Sequence, residues 1–390
     1  MKLKTKLIIA FSIITLIPAL ITGLYAIQVS SNSLRTQALT TQTARAQTLA
    51  NNVESFLSVV KGDVLFLSQS PIMKEYATLR FKNTPDDILE QKRQFLEQEF
   101  LAISKNRGIY YQVRYLDEKG QEVVRVDSDG FKNTIIARDK LQNKSGRYYF
   151  KDAIRLWGTQ LFVSPLDLNR ERGAIEIPHK PVIRYGVNVY DDKNNKAGIV
   201  LVNVDAKKFL KPLAKIRLVD QNGYFLSHPN IKKRWGGPTD LNTNEKLQKE
   251  YGKLSKTILA RHGTISTDEI TLSYEGIKVP GVAYEWTLII QDDTDAILNS
   301  VKKFRAIFSL IILLAIIFAL FLAWFFSRII TRPLEHLTQA AENISKGELH
   351  SNKIGFTDDK SEIGQLARAF ERMRVSMIKS FERLRKQSNF

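Results

Sequence analysis

The sequence has 390 residues, enough for two or three ordinary domains, or fewer if part of it lies in lipid. Its 44% hydrophobic content supports a globular core and is too low for a many-pass transporter, and the absence of cysteine excludes disulfide staples, thiolate zinc sites and thiol nucleophiles. A net charge of +18 raises the question of nucleic acid. The basic residues, however, are spread along the chain with small clusters beside the apolar segments, and membrane-surface attraction and topology account for those clusters, so no nucleic acid partner is expected.

In chain order, the first element is Leu7 to Ile27, which carries no charged residue and is close to the ~20 residues a helix needs to cross a bilayer core. It follows "MKLKTK", the positive flank expected on the cytoplasmic side. A cleaved signal peptide is the competing reading, but its apolar region typically spans about 7–15 residues and ends in a small-residue cleavage site. This run is longer, so an uncleaved anchor is expected. Pro18, inside the run, is a site for a kink of the kind such helices tolerate.

Beyond the anchor, Leu49, Val53, Phe56, Val60, Val64 and Leu67 recur at spacings of three and four, which predicts a long amphipathic stalk helix. A second helix is predicted from Thr84-Pro85-Asp86-Asp87 to about Asn106. Thr84 would supply the cap hydroxyl, the proline the first turn and the acids the positive end of the dipole, and Gly108 would stop it. Strand signals follow. "IYYQVRYL" and "QEVVRVD" flank the turn "DEKG", and "PVIRYGVNVYD" and "AGIVLVNVD" flank "DKNNK". A third hairpin lies in "KIRLVDQNGYFLSHP", and "GTISTDEITLSY" and "EWTLIIQD" predict further strands before "DDTDAILNS" starts the next helix.

Two of these hairpins share Arg-x-x-Asp-x-x-Gly, at Arg114/Asp117/Gly120 and Arg217/Asp220/Gly223. Asp initiates such a turn and Gly supplies the positive φ at its end. Any tight hairpin selects those residues, but each copy also follows helical material and precedes more strands, as two tandem α+β modules would. The second uncharged run, Ala306 to Ser327, is followed by Arg328 and Arg332, again positive inside. Lys302, Lys303 and Arg305 on its outer flank oppose that orientation, and are accommodated by snorkelling to the interface.

Past the second run, Pro333 sits where a helix restarts, and Leu334, Leu337, Ala341 and Ile344 form a seam. "HSNKIGFTDD" is a polar connector. A second helix opens at "SEIGQLARAFERM", where Ile363, Leu366, Phe370, Met373 and Met377 repeat the seam; Ser361 or Asp359 can cap it, and Glu362 suits its positive end. The next apolar residues, Phe381 and Leu384, give two consecutive steps of four, a stutter that unwinds a coiled coil locally. Two ordinary amphipathic helices would share the periodicity.

Anchor, stalk helix, two PAS-like modules, second anchor and helical repeat together resemble a bacterial double-Cache transmembrane receptor, and the last part resembles a HAMP domain through Pro333, Glu362 and Ile363-Gly364-x-Leu366-x3-Phe370-x2-Met373. Ser361 and Glu371 depart from the usual HAMP pattern. Such receptors occur among chemoreceptors, sensor histidine kinases and diguanylate cyclases. The resemblance implies an α+β extracytoplasmic sensor, two transmembrane helices and a parallel HAMP coiled-coil bundle. The expected divisions are a cytoplasmic N-terminus at 1–6, a span at 7–27, the sensor at 28–304 (distal module about 85–210, proximal about 211–292), a span at 306–327, HAMP at 328–380 and a coiled-coil tail at 381–390. The chain would cross the bacterial inner membrane twice, with both termini in the cytoplasm and the sensor in the periplasm or outside.

The resemblance also implies a ligand site in the distal module. A frequent family pattern is Arg-x-Trp-Tyr-x-x-Ala with a later Asp that anchors an amino group; here Arg147, Tyr149 and Phe150 match in outline and the Asp position falls on Asn203. An amide cannot pair a buried ammonium, and an unpaired buried charge costs several kcal/mol. The departure argues against an amino acid. Arg125, Arg147 and Arg184 favour a small anion such as a carboxylate, which guanidinium grips in two-pronged fashion, with Tyr149 adding a ring face or hydroxyl and Ser164 and Asn169 as neutral donors. The plainer alternative pairs these arginines with Glu122, Asp127 and Glu176 and buries the aromatics as core. The proximal module is expected to relay.

No enzyme activity and no cofactor are expected. His179, His228 and His262 show no HExxH spacing, and there is no G-x-S-x-G elbow or P-loop. Pro333, Leu337, Glu362, Leu366, Phe370 and Met373 are the expected relay residues. A parallel homodimer would close the four-helix bundle, and output would pass to a cytoplasmic partner or to an output domain beyond Phe390. Failing that, the chain would be a membrane-anchored binding protein.

Overall fold

The computed structural model describes residues 3–171, 173–260, 262–348 and 353–387. It forms two compact units, Met1–Leu34 with Leu298–Phe390, and Arg35–Ile297. Helix α1 (Leu3–Gln69) is continuous through Pro18. In its last third it buries Ala46, Ala50, Val53, Leu57, Val60, Val64 and Leu67, a stripe spaced by threes and fours that includes Leu57, which the periodicity had passed over in favour of half-buried Phe56.

Helix α2 (Pro71–Arg80), not anticipated, starts on a cap: Ser70 Oγ accepts from Met73 N at 3.1 Å and Pro71 fills the first turn. Helix α3 (Asp86–Arg107) ends at Gly108 with φ +60°. The expected Thr84 cap does not form, because Thr84 Oγ1 donates to Leu79 O at 2.9 Å and Pro85 occupies the cap position without a side-chain bond.

The distal sheet contains β1 (Tyr110–Asp117), β2 (Glu122–Ser128), β3 (Asn133–Ile135), β4 (Phe162–Val163), β5 (Asp167–Leu168), β8 (Pro181–Tyr190) and β9 (Lys196–Asp205), in order β3-β2-β1-β9-β8-β4 with β5 also on β8. Helix α4 (Tyr148–Arg155) covers one face, and the small ribbon β6 (Arg170–Glu171) and β7 (Ala174–Ile175) lies in the loop after β5. On the other face Val113, Tyr115, Val124, Val126, Val202 and Val204 pack with the stripe of α1 and with Leu96 and Phe100 of α3. Burial at both faces explains the near-continuous apolar runs of β8 and β9. Each fully buried side chain of this kind contributes about 1.5–3 kcal/mol.

Helix α5 (Lys207–Leu210) leads to the proximal sheet: β10 (Arg217–Val219), β11 (Phe225–Ser227), β12 (Gly263–Ser266), β13 (Ile270–Lys278) and β14 (Glu285–Asp293), in order β11-β10-β14-β13-β12, with α6 (Leu247–Tyr251) and α7 (Leu254–Ile258) against it. The two repeated turns are built alike. Asp117 Oδ1 accepts from Lys119 N and Gln121 N with Gly120 at φ +78°, and Asp220 Oδ1 accepts from Asn222 N and Tyr224 N with Gly223 at φ +85°. The β8–β9 turn repeats the design with Asp191 and Asn194 (φ +62°), so the turn is a general hairpin device and the two sheets are what mark the modules. The stalk holds the proximal sheet through Gln42 Nε2, which donates to Thr271 Oγ1 (3.0 Å) and Asp292 Oδ2 (2.6 Å).

In the other unit, α8 (Thr294–Ile297) having ended the sensor, α9 (Asn299–Phe326) packs on α1: Phe11 stacks on Phe326 at 5.5 Å, and a Cβ on Gly23 would fall 1.7 Å from the Phe308 ring. Both helices are long and apolar enough to cross a membrane. A π-helical turn at Ser327–Thr331 joins α9 to α10 (Arg332–Ser345), so Pro333 sits in a continuous helical run where a restart was expected. A residue without an amide proton leaves a carbonyl of the preceding turn unpaired, and a wider turn accommodates it.

Helix α11 (Glu362–Gln387) packs on α10 through Leu337, Ile344, Ile354 and Ala367, with Ile363, Phe370 and Ile378 alongside, while Leu366, Met373 and Met377 remain exposed. The predicted seam therefore splits into an inward half and an outward half, and Glu362 is exposed. Asp359 accepts from Ser361 N ahead of the helix, and Gly364 is required because a Cβ would lie 1.9 Å from Asp359 O. Glu371 Oε2 accepts from Ile354 N and pins the connector. The side chains of Phe381 and Leu384, on which the stutter depends, lie outside the described residues.

Candidate functional site

In the distal sheet the pleat alternation places Gln112 and Arg114 on the face opposite the main core. Register sets Arg125 beside Arg114, and Asn203 between Gln112 and Arg184. These side chains form the floor of a cavity of about 90 Å3, closed by Lys144, Arg147 and Tyr149 from the start of α4 and by Asn169 and Arg170 from the loop after β5. A water occupies about 10–15 Å3 on the same measure, so several waters, or a small molecule of a few heavy atoms, fill it. Next to the floor on the same face, Leu116, Ile199 and Leu201 meet α4 as a dry cluster.

The floor is a buried polar network. Arg114, 3% exposed, donates from Nη2 to Asn203 Oδ1 at 2.8 Å and from Nη1 to Tyr149 OH at 3.4 Å, and Glu122 lies 3.5 Å away. Asn203 Nδ2 donates to Gln112 Oε1 at 3.0 Å. Arg184 spends its guanidinium on Asp167 Oδ1 (3.0 Å), Asn169 Oδ1 (3.1 Å) and Tyr148 OH (3.4 Å). Arg125 chelates Asp127 at 2.6 and 2.7 Å. Arg114 Nε has no hydrogen-bond partner among the described residues although it is buried.

Charge does not balance here. Arg114, Arg125, Lys144, Arg147, Arg170 and Arg184 line the cavity, and the carboxylates bonded to them among the described side chains are Glu122, Asp127 and Asp167, a surplus of three positive charges. Among the described residues, Lys144 bonds only to Gln142, and Arg170 only to the carbonyls of Gly173 and Thr239. Tyr149 registers this field. Burial pushes its phenol up, but the Arg114 charge, hydrogen bonds from Arg114 and Arg147, and Lys144 outweigh burial and hold it below the ordinary value. Its ring lies 5.4 Å from the Arg114 guanidinium and 5.9 Å from that of Arg147.

Of the residues expected in the site, Arg125, Arg147, Tyr149, Asn169, Arg184 and Asn203 are brought together around this cavity. Two are placed elsewhere. Phe150 is core, packed with Ala153, Phe162 and Leu201, because it follows Tyr149 by about 100° on the helix and faces the apolar end of the sheet. Ser164 is fully buried in a turn, where its Oγ accepts from Arg184 N and donates to Pro165 O. Arg114, Gln112, Lys144 and Arg170 were missed. Arg114 had been read only as part of the turn repeat, although its two-residue offset from Gln112 puts both on one face. The plainer alternative also holds in part: Arg125 pairs with Asp127 and lies 3.6 Å from Glu122, whereas Glu176 is engaged by Lys180 and Asn169 and by no arginine among the described residues.

A family model described as "Bacterial histidine kinase, sensor domain" matches residues 64–281, and a HAMP domain model matches residues 325–379. A "probable methyl-accepting chemotaxis protein" of Bacillus thuringiensis subsp. konkukian is 19% identical over 387 residues, covering 96% of this chain; the chain spans about half, 51%, of that relative's length. Among solved structures, the extracellular domain of vpHK1S-Z8, assigned as a histidine kinase, superposes with a TM-score of 0.57 at 21% identity over 69% of this chain and 95% of its own. A domain of a sensory box/GGDEF family protein from Vibrio parahaemolyticus superposes with a TM-score of 0.57 at 20% identity over 68% of this chain and 98% of its own. Both share the fold. With the sensor model covering more than half of its length, the chain belongs to the bacterial histidine kinase sensor-domain family and carries a HAMP domain after its second long apolar helix.

Proposed function

We propose that this chain is a two-pass receptor of the bacterial inner membrane. In this reading the distal cavity, facing the periplasm or the exterior, takes a small anion without an ammonium group, such as a short carboxylate. The observation that carries it is the surplus of three positive charges around a cavity with a buried polar floor: the acids there are already engaged, and Lys144, Arg147 and Arg170 at its rim have no carboxylate partner among the described residues. Cations gathered at one site without counter-charges repel one another, and a ligand anion supplies what the protein omits. Asn203, fixed by Arg114, offers no negative charge to an amino group.

The remaining assignments follow the same reading. The spans are 7–27 and 306–327, the sensor 28–304 and the HAMP domain 328–380, with both termini cytoplasmic. The exposed stripe of Leu366, Met373 and Met377 supports a parallel homodimer, in which a second copy would bury it in a four-helix bundle. Ligand-dependent displacement of α9 would then select between packings of that bundle and reach a cytoplasmic partner or a linked output domain. A sensory portion of a kinase, chemoreceptor or cyclase fits the same geometry.

The test is a thermal-shift titration of the full chain with acetate, lactate, sulfate and a panel of amino acids. Small anions raise the melting temperature, and Arg147→Ala abolishes the rise while leaving the ligand-free melting temperature within about 2 °C, since an exposed residue of this kind contributes little to stability. Tight binding of amino acids with no response to carboxylates overturns the reading.

A further inference from the structure

A second opening, sharing no lining residue with the distal cavity, lies between the two sensor modules and has a volume of about 590 Å3. That is within the ~300–1,000 Å3 typical of small-molecule sites. Its wall is apolar, formed by Leu210 at the end of α5 and by Leu226 and Trp235 of the proximal module, all buried. Around this wall stand Lys207, Lys211, Lys232 and Arg234, and no carboxylate is among the lining residues described.

Arg234 is the informative group. It is half-buried, and its guanidinium donates from Nε to His228 O and from Nη2 to Ala214 O, each at 2.8 Å. Both acceptors are neutral carbonyls, and among the described residues no acid pairs with it. Burial lowers its affinity for the proton with nothing opposing. The same loop does pair the neighbouring Lys233, with Glu250 at 2.6 Å, so the cations of this loop without a counter-charge among the described residues, Lys232 and Arg234, are the two that line the groove. Trp235 is held with φ +61°, a left-handed conformation that a bulky residue adopts only when the surroundings impose it. Two backbone hydrogen bonds impose it, Trp235 N to Phe225 O at 2.7 Å and Leu241 N to Trp235 O at 3.0 Å.

We infer that this groove is a second ligand site, selective for an organic anion with a flat apolar body, the acid group on Arg234 and the lysines and the body against Leu210, Leu226 and Trp235. An inorganic anion leaves the apolar wall wet, and a neutral hydrocarbon leaves Arg234 uncompensated; an aromatic carboxylate satisfies both. Because the lining also includes His179 and Pro181 at the start of distal strand β8, an occupant touches both modules at their junction.

The test uses the full chain in lipid nanodiscs, with empty nanodiscs subtracted, titrated calorimetrically with 2-naphthoate and with its neutral counterpart 2-naphthamide. Naphthoate binds saturably and at least tenfold more tightly than naphthamide. Arg234→Gln removes that preference, and the distal-cavity change Arg147→Ala leaves it in place. Equal affinity for the two probes, or no saturable binding, overturns the inference. Loss of binding in Arg147→Ala and not in Arg234→Gln also overturns it, by assigning the probe to the distal cavity. If Arg234→Gln fails to fold, the exposed pair Lys211→Glu and Lys232→Glu replaces it; together they weaken naphthoate and not naphthamide, and unchanged naphthoate affinity refutes the site. Failure of small anions to bind the distal cavity leaves this outcome unaffected.

Discussion

Asn203→Asp is the most direct probe of charge selection in the distal cavity. The two side chains are nearly isosteric, so the change adds one negative charge to the floor with little change in shape. Arg114 Nη2, now 2.8 Å from Asn203 Oδ1, gains a charge-assisted partner, and the surplus of positive charge falls from three to two. An anion in a cavity this small would sit on the order of 5 Å from the new carboxylate. At an effective dielectric constant of about 20, the added repulsion is about 3 kcal/mol. Since about 1.4 kcal/mol is tenfold in affinity, and salt and the Arg114 pair offset part of the repulsion, the expected loss is about 10- to 100-fold.

The assay is the dissociation constant of acetate or lactate obtained from thermal-shift titration of the full chain and of the variant. The variant is expected to melt close to the wild-type temperature without ligand, because the new carboxylate is paired by Arg114 and Gln112, which now accepts from Asn203 Nδ2, can turn its amide to donate to it. Its binding curve shifts to higher ligand concentration, and amino acids improve relative to carboxylates that lack an amino group. If carboxylates bind the variant as tightly as the wild type, charge in this cavity does not select the ligand and the argument from Asn203 is wrong.

Three further outcomes follow from the packing. Asp63 is buried and accepts from Tyr110 OH at 2.6 Å and from Arg107 at 2.7 and 3.1 Å, so Asp63→Asn should cost about 2–4 kcal/mol in chemical denaturation and release the stalk from α3. Gly198→Ala should cost at least ~3 kcal/mol, because φ is +136° and the new Cβ would lie 2.1 Å from Leu116 O; an alanine variant melting like wild type would show that β1 and β9 can part there. Asp240 carries the pH prediction. Burial raises its pKa from 3.8 to about 6, so between those values the folded state holds the proton that the unfolded state has released. Its contribution to stability therefore declines as pH rises from about 4 to about 6 and is constant above. After discounting for its partial exposure the decline is about 1–2 kcal/mol, and Asp240→Asn should flatten the melting temperature over that window.

What could be read from the sequence was what depends on local periodicity and turn chemistry. The hairpins at Asp117 and Asp220, the stop at Gly108 and the two helices either side of the polar connector are set by residues a few positions apart. What could not be read depends on pairing across long separations. Thr84 looks like a cap until the carbonyl of Leu79 is seen within reach, and Phe150 looks like a site residue until β9 is placed beneath it. The floor of the cavity is assembled by register: Gln112 meets Asn203 and Asn203 meets Arg184 only because β1, β9 and β8 are neighbours. Hence the distal site was half legible, through the residues near α4 that a motif gathers, while Arg114 needed the sheet.

The wall of that cavity is also bonded to the proximal module, which bears on how binding could be felt beyond it. Arg170, which lines the cavity, donates to Thr239 O at 2.8 Å, and Leu168, two residues earlier, donates its amide to Asp240 Oδ1 at 2.8 Å. An anion drawn into the cavity competes with a neutral carbonyl for the Arg170 guanidinium, and a charge-assisted bond is about twice as strong as a neutral one. In the proposed reading, occupancy would therefore act on a hydrogen bond between the modules as well as on the cavity itself. The neighbouring link through Asp240 weakens when the carboxylate is protonated, because a charged acceptor bonds more strongly than a neutral one, so in the proposed reading ligand charge and proton concentration would act at one seam of the sensor. The proximal sheet on the far side of that seam ends in β14, whose Asp292 holds Gln42 of the stalk. In the proposed reading a change at Arg170 would reach the stalk through the Leu241 N–Trp235 O and Trp235 N–Phe225 O bonds and then through β11, β10 and β14, with no ligand in the proximal module.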